Sequence, residues 1–209
     1  MRHLRLLLAL IFIITILTTL SSAAIVTEKQ CANLFAPNGK LVDWTDKFQF
    51  NKFDPSKGKL LSVEFNATLN GTINASVENL ADEPVTNASI SVNEKLSVEM
   101  LGGQKLYLAV NITTGTFDVE KFEGGVPDFK GNDSYQAFDG GNTSNSTFAS
   151  NVSAYVGTGK INFTTVATAK SGVIGGGSWA ILVRTLGWSY ACLTYTYDNT
   201  HCLSGYKKD

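Results

Sequence analysis

The sequence predicts an all-β protein: a two-layer β-sandwich, with a jelly-roll-like form left open, preceded by a cleaved signal peptide. Three observations predict it. Apolar residues recur at period two along many short stretches, the pattern of half-buried strands. Turn signals built on Gly, Asn, Asp and Pro separate these stretches about every 8–12 residues, the spacing of sandwiches and barrels. No stretch beyond the N-terminus carries a helical period over several turns.

The first segment, 1–24, is a targeting signal by composition. Arg2, His3 and Arg5 form a positive start, Leu6 to Leu20 is apolar apart from threonines, and Ser21-Ser22-Ala23-Ala24 offers the small residues a signal peptidase reads. The apolar run is shorter than the ~20 residues a spanning helix prefers. The small-residue cluster favours cleavage over a retained anchor. No second apolar run of spanning length follows, so no transmembrane helix is expected after cleavage. Two of 17 Lys+Arg leave with the signal and no acid does, so the mature chain sets 15 basic against 18 acidic residues. No lysine or arginine cluster stands in the sequence, which argues against nucleic acid as a partner.

Residues 25–44 read as an irregular lead-in containing Pro37-Asn38-Gly39. The sandwich domain spans 45–198 and a polar tail, without an anchor, spans 199–209. The first strand is expected over 47–53, with Phe48, Phe50 and Phe53. Asp54 to Gly58 is a turn by composition. In 59–69, Leu61, Val63, Phe65, Ala67 and Leu69 share one face. Asn70-Gly71 signals a hairpin, after which Ile73, Ala75 and Val77 resume the inward phase. Thr86 to Val92, Leu96 to Met100 and Lys105 to Ile112 are further strands, and 115–122 is another candidate. Gly124 to Thr147, rich in Gly, Asn, Asp and Ser, reads as loop pinned by Tyr135 and Phe138. Ser153 to Tyr197 reads as four strands: 153–156, 160–168, 179–185 and 188–197. These are expected at the centre of the sheets, with Val63, Phe65, Leu108, Val110, Ile161, Phe163, Ile181 and Val183 buried.

Ten N-x-[ST] acceptors occur, at Asn66, Asn70, Asn74, Asn87, Asn111, Asn132, Asn142, Asn145, Asn151 and Asn162. In an exported chain these are candidate glycosylation sites. Asn66, Asn74, Asn87, Asn111, Asn151 and Asn162 fall opposite the apolar residues of their strands and are expected on outer faces. A polar strand face also generates the motif by chance, because the motif itself has period two. The density suits archaeal or eukaryotic surface proteins.

Export permits disulfides, and the candidates are Cys31, Cys192 and Cys202. Cys202 is expected to be bridged, with Cys192 preferred over Cys31 as its partner. Their spacing matches no structural zinc site.

Catalytic chemistry finds little to stand on. His3 leaves with the signal, and His201 lacks a nucleophile motif beside it. Asp118, Glu120 and Glu123, and then Asp128, Asp133 and Asp139, are close in sequence. Solvated faces and polar loops account for them, ahead of a glycosidase pair or a loop calcium site. No catalytic residue, metal ligand or cofactor is assigned. Trp179, Trp188, Tyr190, Tyr195 and Tyr197 crowd the C-terminal strands. An exposed row of them would stack on sugars, yet the two phases they occupy put at least one pair in the core.

Two blocks carry a family resemblance. One is Phe53-Asp-Pro-Ser-Lys-Gly-Lys-Leu60 followed by Leu61-Ser-Val-Glu-Phe-Asn-Ala-Thr68. The other runs from Tyr155-Val-Gly-Thr-Gly-Lys-Ile161 through Gly175-Gly-Gly177 to Leu193-Thr-Tyr-Thr-Tyr197. With Ala137-Phe-Asp-Gly140 they resemble the choice-of-anchor E domain, a family of exported prokaryotic surface proteins, over about residues 45–198. The resemblance implies an envelope role and brings no catalytic signature. The expectation is a secreted or cell-surface module, structural or adhesive, that is not an enzyme. Envelope polysaccharide and other surface proteins are its expected partners. A carbohydrate-binding module using the C-terminal aromatics is the alternative.

Overall fold

Ten strands form where period-two patterning allows one face to be buried. The computed structural model describes residues 24–200; residues 1–23, on which nearly all of the expected signal segment 1–24 falls, and residues 201–209, with His201 and Cys202, lie outside the described residues. The strands are β1 (Ile25–Leu34), β2 (Lys40–Leu41), β3 (Trp44–Asn51), β4 (Lys59–Asn79), β5 (Val85–Glu99), β6 (Lys105–Thr113), β7 (Phe117–Val119), β8 (Ser134–Phe148), β9 (Lys160–Ile174) and β10 (Trp179–Asp198). The first sheet has the order β1-β10-β4-β8, with β2 added on β10. The second has the order β3-β9-β5-β6, with β7 added on β5. With β2 and β7 set aside, the remaining eight strands stand first-eighth-third-sixth facing second-seventh-fourth-fifth, the jelly-roll order. All strand pairings are antiparallel. β9 and β10 are interior strands of their sheets, as the sequence predicts.

The core lies between the sheets. Phe65 meets Phe163 edge-on at 5.0 Å between ring centroids, and Phe48, Phe50 and Tyr155 close around the pair. Val63, Leu108, Val110 and Ile161 are also buried. Both open sides are sealed by glutamines that bond the neighbouring strand edge. Gln30 exchanges two hydrogen bonds with the Asn51 backbone, joining β1 to β3. Gln104 donates to the Phe148 carbonyl, joining the β6 side to β8. These bonds satisfy edge groups that would otherwise offer a template for pairing.

Several expected boundaries are corrected. Asn70-Gly71 makes no hairpin: β4 runs straight through it for 21 residues. The predicted strands 86–92 and 96–100 are one strand, β5, because inward Glu94 interrupts the apolar phase without interrupting the ladder. Likewise 179–185 and 188–197 are joined through Gly187 into β10. The lead-in 25–44 contains β1 and β2. The 124–147 loop is loop only to residue 133; the rest belongs to β8, whose inward positions include Ala137, Gly141 and Thr143, too small or polar to show alternation. Tyr135 stacks on Phe117 at 4.0 Å and pins this region as expected, whereas Phe138 stands exposed. Residues 153–156 are not a strand: 153–155 belong to a 3-10 turn (Val152–Tyr155), and Val156 after it makes an isolated bridge to Phe53.

Two core assignments change as well. A register shift near Tyr197 makes Leu60, not Leu61, face inward. Ile181 is 44% exposed and Val183 half-buried, because β1 and β2 pair only with later residues of β10 and leave 179–185 at an open edge.

Candidate functional site

The outer face of the first sheet brings together four of the sequon asparagines, two of the aromatics and a pair of cysteines. On β10, Trp188, Tyr190 and Cys192 point outward in succession, and their partners on β4 are Asn70, Thr68 and Asn66. β8 completes the rows with Asn142, Ser144 and Ser146. An aromatic column therefore runs beside columns of amides and hydroxyls. Tyr190 is 45% exposed and Trp188 half-buried. The other expected aromatics lie elsewhere. Tyr195 is in the core with its hydroxyl donating to the Asn51 carbonyl at 2.7 Å, and burial, then Tyr155 and Glu28, raise its pKa. Tyr197 packs on Phe53, and Trp179 on Phe117. The phase difference in the sequence is thus resolved: Trp188 and Tyr190 face out.

Cys31 and Cys192 sit opposite each other in the β1–β10 ladder and form a disulfide, with 4.1 Å between Cα atoms. This corrects the expected pairing. Both proposed partners of Cys202 are joined to each other, in strands that the irregular reading of 25–44 could not bring side by side.

The six sequon asparagines expected on outer faces are all exposed, and so are Asn132, Asn142 and Asn145; Asn70 is half-buried. Four of the ten, Asn66, Asn70, Asn74 and Asn142, share the outer face of the first sheet. Asn87 stands at a bulge with a positive φ of 57°, a conformation asparagine tolerates well. At Asn111, Asn151 and Asn162 the amide oxygen accepts a hydrogen bond, leaving the nitrogen free. At Asn145 the nitrogen itself donates to the Tyr107 carbonyl.

Of the carboxylates singled out in the sequence, Glu123 and Asp133 come together beside Gly131. Asp118 accepts from the Asn87 backbone, Asp128 from Lys130, Asp133 from Glu123 and Asp139 from Gly140. Glu78, which sequence reading passed over, holds the 124–133 loop by accepting from the Asp128 and Phe129 amides at 2.8 and 2.6 Å. Among the described residues no group of three or more His, Cys, Asp or Glu is placed to hold a metal.

Two features escaped the sequence. One is Glu94, fully buried between the sheets with neither carboxyl oxygen hydrogen-bonded. Its head fits against Gly71 and Gly187, which pair with each other; a methyl group at either would overlap a carboxyl oxygen. Burial pushes its pKa up to about 8. The other is a groove of about 460 Å³ on the outer face of the second sheet. Its floor is two ladder rows, Val166–Ser97–Tyr107 and Thr168–Lys95–Ala109. The phase of these residues in their strands was the available signal.

No family model and no curated protein matches the chain. Among solved structures it is similar to T=1 particles derived from infectious bursal virus, at 10% identity and a TM-score of 0.24, covering 82% of this chain and 36% of that one. It is also similar to the Gx strain of infectious bursal disease virus, at 8% identity and a TM-score of 0.21, covering 86% and 39%. The chain thus spans well under half the length of these viral chains, and likeness at this level assigns it no role.

Proposed function

We propose that the protein is an exported cell-surface module with a structural or adhesive role at the envelope, N-glycosylated at several of its sequons. The observation that carries this reading is the Cys31–Cys192 bridge, which joins the first and last strands. Stable disulfides belong to oxidising compartments. The N-terminal sequence, the resemblance to choice-of-anchor E domains and the nine exposed sequon asparagines support the same reading. A coat of glycans on the broad faces suits a molecule that stands in a polysaccharide-rich layer. The test is cell fractionation with intact mass of the native protein, before and after reduction. Expected are recovery outside the cytoplasm, loss of the N-terminal segment, added hexose-class mass and one bridge. Cytoplasmic recovery as a bare, reduced chain would overturn the proposal.

A second reading, a carbohydrate-binding module, is favoured by one observation: Trp188 and Tyr190 stand in a column beside Asn70, Thr68 and Asn66. Aromatic faces beside amide and hydroxyl groups suit a neutral sugar chain. Trp188→Ala together with Tyr190→Ala should abolish retention on the polysaccharide in question if this face binds it.

A further inference from the structure

We infer that the groove on the second sheet is a docking surface for an acidic, uronate-bearing polysaccharide. The inference deepens the adhesive reading above by naming a partner class and the surface that takes it. Four strands point their outer-phase residues at this face. Lysines among them are Lys47 on β3, Lys95 on β5, Lys105 on β6, and Lys160 and Lys170 on β9, all exposed. The acid on the same phase of these strands is Glu99, paired with Lys105 at 3.6 Å; two more exposed acids stand at the margin of this sheet, Asp43 accepting from the Ala169 amide and Asp118 on β7. Lys160 donates to Gln49. Lys47, Lys95 and Lys170 join no ion pair among the described residues. A chain of net negative charge has therefore gathered a positive face from lysines scattered over more than a hundred residues. Such a face draws anions and raises their local concentration.

The floor of the groove says which anion. Tyr107 is 64% exposed and Val166 38% exposed, with Ala109 beside them. They offer an apolar bed for a sugar ring, and Ser97 and Thr168 place hydroxyls at its sides. Lys105 and Lys170 stand opposite Glu99 and Asn93, six residues or about 20 Å apart along β5, farther than two lysine side chains can close on one phosphate, which is held by clustered or bidentate donors. Charges so separated match a polymer with carboxylates distributed along it. Single-stranded nucleic acid is matched less well, since it calls for successive aromatic platforms and Tyr107 is the one aromatic here.

The experiment is affinity electrophoresis of the full secreted protein through gels containing polygalacturonate, its neutral methyl ester, or single-stranded DNA. Polygalacturonate should retard the protein. About 1 M salt, which shortens screening to ~3 Å, should release it. Lys95→Glu and Tyr107→Ala should each weaken retardation about tenfold. Lys29→Glu, on the first sheet, should leave it unchanged. Far-UV circular dichroism checks that each variant is folded. Equal retardation by the methyl ester or by DNA overturns the inference, as does retardation that survives Lys95→Glu and Tyr107→Ala. Loss of glycan mass or of export leaves this result standing and strikes only the surface reading, so the two fail separately.

Discussion

Glu94 occupies a place where a carboxyl group costs stability. Across the interface it meets Gly71 and Gly187, with aliphatic carbon from Ile112 of its own sheet and from Val42 packed beside those glycines. With a folded pKa of about 8 against an ordinary 4.5, the native state holds a proton that the unfolded chain releases. Stability should therefore be insensitive to this group below about pH 4.5. It should fall with a slope approaching ~1.4 kcal/mol per pH unit between 4.5 and 8, then level off. Glu94→Gln, which cannot ionise, should flatten that slope and melt higher than the parent at pH 9. Chemical denaturation across pH checks both. A second prediction follows from the same contact. Gly71→Ala should destabilise because its methyl meets the carboxyl group, and adding Glu94→Ala should recover part of the loss, read as a coupling in a double-mutant cycle. This residue also shows why the sequence misled at Asn70-Gly71. The dipeptide is a strong hairpin signal when only local conformation is considered. Here the glycine is required by a side chain on the opposite sheet, 23 positions away, and no local pattern reveals that.

At the scale of elements, the long interior strands were legible in pieces and the edge strands poorly. β6 was readable because it alternates without interruption, with Leu106, Leu108, Val110 and Ile112 inward. β8 was not, because an edge strand facing Gly71 and Ile73 can satisfy its inner face with small residues. β1 failed for a related reason: its outer positions include Ile25 and Cys31 and its inner ones Glu28 and Gln30, so hydropathy gives no phase. Phe163 on β9 tests the core these elements build. It is fully buried against Phe50, Phe65 and Tyr155, so Phe163→Ala should cost about 3–5 kcal/mol in urea unfolding. The bridge between β1 and β10 closes a separation of 161 residues, and it restrains the unfolded chain over nearly the whole domain. Cys31→Ser with Cys192→Ser should lower stability by about 2–5 kcal/mol, measured under non-reducing conditions against the parent.

Across the whole molecule, the jelly roll turns a dispersed sequence pattern into two unlike faces. The first sheet gathers Asn66, Asn70, Asn74 and Asn142; the second has Asn162, two rows from the Val166–Ser97–Tyr107 row, and Asn111, one row beyond Thr168–Lys95–Ala109 at the end of the groove. The structure also ranks the ten sequons. Asn70 is half-buried, lies opposite Trp188 on one side and is directly opposite Asn142 on the other. Antiparallel neighbours stand only about 5 Å apart at Cα, too close for two glycans to leave the sheet side by side. Asn145 spends its amide nitrogen, the atom a glycan would use, on the seal between β8 and β6. Glycopeptide mapping of the native protein should therefore find Asn70 and Asn145 least occupied, with Asn66, Asn74, Asn111 and Asn162 carrying most of the sugar. Asn142→Gln should raise occupancy at Asn70 by removing its rival, while Asn162→Gln, on the other sheet, should not. Occupancy at Asn70 that is high from the start, or indifferent to Asn142, would show that modification precedes folding of this face and that the ladder does not govern it.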